Sequence, residues 1–122
     1  MKLSTAIRKG CELSSYQVKG HYFDGEGGSC ALGAAALACG SVTQKAGKPE
    51  YVNPNFNTAF PVLHVDDVIH PETEERQKMS IILVSLNDEY DYSREEVADF
   101  VESWEQHLDR EEARKLEVVA VQ

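Results

Sequence analysis

Cys30 is the residue with the sharpest chemical potential in this chain. It follows Gly27, Gly28 and Ser29 and precedes a run of small and apolar residues, so the sequence places it at a helix N-terminus. The helix dipole there favours a thiolate. His64 follows as a candidate base, with Asp66 or His70 to orient it. Cys30, His64 and Asp66 together would compose a small cysteine hydrolase or peptidase. Against this, Asp24 and Glu26 stand close before the thiol, and nearby acids raise a thiol pKa. The competing reading is a small buried cysteine that packs beneath its own helix.

A second set of residues points to binding. Glu95, Asp99, Glu102, Glu105 and Asp109 fall at i,i+3 and i,i+4 spacing on one sector of an expected helix. Like charges at that spacing cost a few tenths of a kcal/mol per pair, by the general order of magnitude for helix pairs (~0.2–0.5). A basic protein surface docking on them would offset that cost; plain solvation is the simpler explanation. The lead functional expectation is therefore a non-catalytic acidic interaction domain that meets a basic partner through residues 88–112. A dimeric structural subunit is a further possibility.

Other chemistries lack their residues. His64 and His70, and Cys30 and Cys39, match no common metal spacing, so no metal or other cofactor is expected. Gly25, Gly27 and Gly28 lack the lysine and spacing of a phosphate loop. A helix carrying Glu95, Glu96, Asp99, Glu102 and Glu105 repels a phosphate backbone, so no direct nucleic-acid binding is expected.

The elements that must hold these residues are mostly helical. Leu3, Ile7 and Cys11 mark one face of a first helix, with Ser4 as N-cap and Gly10 weakening it by about 1 kcal/mol relative to alanine. Residues 30–39 form a second helix without a polar face, hence buried, with Gly40 as its stop. A third helix begins near Pro71, supported by Glu72–Arg76 and Glu74–Lys78 pairs. A fourth opens on a Ser93/Glu96 capping box, with Tyr92 and Val97 as a hydrophobic staple. Residues 14–29 suggest a hairpin, 62–65 and 116–121 short strands, and 41–70 an irregular connection. The expected fold is about four helices around the buried small-residue helix, with a hairpin or short sheet. An α+β arrangement with a three-stranded sheet (16–23, 62–65, 116–121) is the alternative.

Two blocks, GGSCALGAAALACG (27–40) and SLNDEYDYSREEVADFVESWE (85–105), with the N-terminal AIRKG, resemble a family of small uncharacterised proteins of bacteria and their phages. The likeness touches about half the chain. It implies a cytoplasmic, phage- or mobile-element-related protein and supplies no catalytic residue. Separately, Gly28-Ser29-Cys30-Ala31 loosely resembles the nucleophile block of papain-like peptidases. The glutamine those enzymes carry before the cysteine is missing here.

Size and charge bound the rest. A chain of 122 residues reads as one domain, 1–122. Three cysteines without a CxxC pair argue against a disulfide scaffold. No apolar stretch is long enough for a membrane span or a signal peptide, so a cytoplasmic protein is expected. The formal net charge is −9. Residues 1–65 carry four acids and six bases, whereas 66–122 carry seventeen acids and six bases.

Overall fold

The computed structural model describes residues 1–120. The protein is mostly α, with a small β part. Helix α1 spans Leu3–Leu13, α2 Ala31–Cys39, the short α3 Phe56–Ala59, α4 Met79–Asp88 and α5 Arg94–Ala120. Helix α2 is the hub. Ala34, Ala35 and Ala36 are wholly buried, and α1, α4 and α5 all pack on it. The reason is side-chain size: a helix of alanines with Gly33 lets neighbouring backbones come close. It ends at Gly40, whose φ of 74° is the left-handed conformation expected of a glycine stop.

The closest approach lies between α1 and α2. A Cβ on Gly10 would stand 1.8 Å from the Ala34 carbonyl oxygen. Gly10 is thus the point where the two helices touch, which outweighs its poor helix propensity. Leu3 and Ile7 on the same face enter the core beside Met79, Ile82, Leu83 and Leu86 of α4 and Val97 and Val101 of α5.

Helix α5 starts as its sequence demands. The Ser93 hydroxyl accepts from the Glu96 amide at 3.0 Å, and Glu96 Oε1 accepts from the Ser93 amide at 3.0 Å. Tyr92 and Val97 both join the core.

Strand pairing is local and comes in three separate two-stranded pieces. β1 (Tyr16–Gln17) pairs in parallel with β2 (Gly28–Ser29). β3 (Val42–Lys45) and β4 (Lys48–Val52) make an antiparallel hairpin, and β5 (Val68–Ile69) pairs with β6 (Arg76–Gln77). The three-stranded alternative is therefore not formed. Residues 62–65 instead contribute to a 3-10 turn at Pro61–His64. Residues 116–120 continue α5, and Val121 lies outside the described residues.

The third expected helix starts later than Pro71, at Met79. Buried His70 explains this. Its Nδ1 accepts from the amides of Glu72 (3.0 Å) and Thr73 (3.3 Å), which folds residues 70–75 into a tight loop. Glu74 takes a positive φ of 64° there. The Glu72–Arg76 and Glu74–Lys78 pairs are consequently not helix neighbours. Ser4 is likewise inside α1 rather than its cap, which is Lys2.

Candidate functional site

Each acidic residue expected to await a partner is placed against α1. Arg8 donates to Glu95 Oε2 at 3.3 Å and to Asp99 Oδ1 at 2.7 Å, and lies 2.7 Å from Glu102 Oε2. Lys2 pairs with Asp109. Glu105 is 7% exposed and accepts from the Ser4 hydroxyl at 2.5 Å. The expectation for Glu105 is corrected on that ground: a buried, bonded carboxylate is not offered to a partner. The other four remain partly exposed, but their first cations belong to this chain. The three carboxylates around Arg8 raise its pKa, chiefly through the bonds that Arg8 donates to Asp99 and Glu102.

Cys30 is the N-cap of α2. Its thiol sulfur accepts from the Gly33 amide at 3.3 Å. Burial pushes the thiol pKa up, and this outweighs the helix amides that lower it; Asp88 raises it further. The dyad expected from sequence does not assemble. His64 sits in the 3-10 turn, is exposed, and contacts the Asn57 carbonyl at 2.5 Å. Asp66 is exposed. His70 is committed to its loop and, through Nε2, to the Ser85 hydroxyl at 3.0 Å. The imidazole that does share a cavity with Cys30 is His21. Nothing in the spacing of His21 marked it, because the 18–24 segment folds back over the start of α2 through the Cys30 amide bond to the Tyr22 carbonyl (3.1 Å).

The raised pKa sets an expected result. Alkylation of Cys30 by iodoacetamide, followed by peptide mapping, accelerates with a midpoint above that of an ordinary thiol in the native protein. The unfolded chain shows the ordinary, lower midpoint. A native midpoint near neutrality would return Cys30 to candidacy as a nucleophile.

Around this cavity lies a four-way polar junction. Asn87, buried at the end of α4, accepts at Oδ1 from Gln17 Nε2 (2.8 Å) and from the Ala31 amide (3.2 Å). Its Nδ2 donates to the Val18 carbonyl (2.9 Å) and to Asp88 Oδ1 (2.7 Å). Gln17 also donates to the Tyr92 carbonyl and accepts from the Arg94 amide. The Arg94 guanidinium reaches the hydroxyls of Ser14 (3.0 Å) and Ser29 (3.2 Å). Asn87 thereby satisfies one of the amides that a helix N-terminus leaves open.

The cavity has a volume of about 200 Å³ and is walled by Tyr22, Cys30, Leu83, Val84, Asn87 and Asp88 among others. It shares Tyr22, Leu32 and Val84 with a wider groove of about 700 Å³ that follows the outer face of α4. Ile81 (55% exposed), Val84 (45%), Tyr22 (45%) and Tyr90 (38%) line this groove. Its charged lining residues are Glu75 and Glu89, and Asp88 lines the adjoining cavity. Neither hollow has a lysine or arginine in its wall; Arg76 and Lys78, sequence neighbours of the lining Glu75 and Gln77, do not line it.

Among the described residues no group of three or more His, Cys, Asp or Glu side chains is placed to hold a metal ion. No helix among them is long and apolar enough to cross a membrane. No protein-family model matches this chain, and no curated protein or solved structure matches it at a significant level.

Proposed function

We propose that this protein is a non-catalytic interaction domain that binds an amphipathic, basic segment of another protein. The observation that carries this reading is the groove along the outer face of α4, where Ile81 and Val84 of the helix and Tyr22 and Tyr90 beside it stand exposed. Contiguous apolar surface rimmed by polar groups is the usual mark of a protein-binding face. The rim selects the charge of the partner, since Glu75, Asp88 and Glu89 face it without a lining cation. The α5 stripe, with Glu95, Asp99, Glu102 and Asp109, is the secondary candidate. A basic partner there has to displace Arg8 and Lys2, so part of the attraction is already spent within the chain.

The test uses the whole protein labelled with nitrogen-15 and a helical peptide with leucines on one face and lysines beside them. Expected are amide shifts concentrated in residues 20–24 and 77–90, with the dissociation constant rising roughly fivefold from low to high salt as screening shortens the reach of the carboxylates. A matched peptide with glutamates for lysines should not bind. Absence of binding by the lysine peptide, or binding that salt leaves unchanged, would sink the reading. Shifts confined to residues 95–109 would transfer the docking face to α5.

A further inference from the structure

We propose that the cavity at the end of the α4 groove is a socket for one lysine or arginine side chain of the partner. This deepens the reading above and rests on it. The cavity, about 200 Å³, has an apolar wall made by Leu32, Leu83 and Val84 and the ring of Tyr22, and a single carboxylate, Asp88. A long cationic side chain matches that layout, because its methylene stem can lie against apolar surface while its charged head reaches a polar end.

Asp88 is prepared for such a head. Asn87 Nδ2 donates to Asp88 Oδ1 and fixes the carboxylate, and no cation among the described residues pairs with it. Tyr22 lines the same wall, and an aromatic ring beside a cation adds attraction where its face is presented. The alternative occupant, an uncharged apolar side chain, would cover Asp88 and leave a desolvated carboxylate without compensation. The cavity therefore discriminates by charge, whereas the groove beside it, with Ile81 and Tyr90, holds the apolar face of the same segment.

The test compares three helical peptides that differ only at the residue entering the socket: lysine, arginine or norleucine. Each is titrated by calorimetry against the full-length protein and its D88N variant. Asparagine keeps the shape of the side chain and an oxygen for Asn87 while removing the charge. The expected result is five- to tenfold tighter binding of the lysine and arginine peptides than of norleucine by the unaltered protein. In D88N that ratio should fall to about one, the cationic peptides losing affinity and norleucine gaining some, since no carboxylate is left desolvated beneath it.

A second readout avoids any substitution. A cationic peptide seated in the cavity should slow iodoacetamide alkylation of Cys30, which lines it, and leave Cys11 and Cys39 unaffected. Binding of all three peptides with equal affinity overturns the socket and leaves the groove reading standing. So does a preference that survives D88N, or an unprotected Cys30. Failure of all three peptides to bind overturns both.

Discussion

Replacing Gly10 with alanine lowers stability by about 3 kcal/mol, at the upper end of what overpacking costs. The sign is the informative part. In an exposed helix the same replacement stabilises by about 1 kcal/mol, because alanine has the better helix propensity. Here the added methyl would sit 1.8 Å from the Ala34 carbonyl oxygen, with the Ala34 carbonyl carbon at 2.2 Å and its Cα at 2.7 Å. All three atoms are backbone in the middle of α2, so no side-chain rotation relieves the clash. The α1 and α2 axes have to separate, which also loosens Leu3 and Ile7 from the core. Thermal unfolding should show a fall in Tm on the order of 10 °C. A G10A protein that melts at or above the temperature of the parent would mean that α1 does not cross α2 at this point. Gly47 serves as a contrast for the steric part, since nothing stands within 4 Å of its added Cβ and its φ of 79° makes any cost there one of backbone conformation.

The second large effect is expected at Asn87. N87A removes the acceptor of the buried Ala31 amide and the donor to the partly buried Val18 carbonyl. A buried polar group left without a partner costs about 1–3 kcal/mol. Two such groups, with the lost anchor for Gln17, put the total at about 3 kcal/mol. The effect should be seen both in denaturant unfolding and as faster amide exchange at residues 15–18 and 31–33, the segments that Asn87 ties together. N87D separates the two halves of the amide. It keeps an acceptor for Ala31 but points a second carboxylate at Val18 and Asp88. The folded state then raises the pKa of the new carboxyl above its unfolded value. The stability deficit of N87D should accordingly be largest at neutral pH and shrink as pH falls through that raised pKa. A deficit that is flat between pH 4 and 7 would show that the introduced group is not buried at the junction.

The Gly10 and Asn87 effects share an origin that bears on function. Gly10 sets how closely α1 lies on α2, and Asn87 sets how α4 meets the start of α2. The groove and cavity are walled by α4, the start of α2 and the 18–24 segment. Their shape is therefore a product of helix spacing rather than of any local sequence signature. This is why the composition of the α4 face was legible while its use was not. By spacing alone Ile81 and Val84 extend the apolar arc of this helix, yet they are half exposed, because the helix is covered on only one side. Periodicity gives the apolar arc of a helix; it does not say how much of that arc the rest of the chain covers.

The amino-acid sequence by itself determined the elements with strong local causes. The Ser93/Glu96 box starts α5, Gly40 ends α2, and the alanine run of α2 is buried because no face of it is polar. It also determined the charge asymmetry, with 17 of 21 acidic residues after position 65. The tertiary structure alone decided where that asymmetry is used. Helix α1 packs along α5, so Arg8 and Lys2 become the nearest cations to Glu95, Asp99, Glu102 and Asp109. It likewise separated Cys30 from His64 and brought His21 and Asp88 to it. The physical reason is the same in each case. Capping and burial patterns act over one or two turns of chain, whereas charge pairing and cavity walls join residues as far as 107 positions apart, and only packing fixes which of them meet.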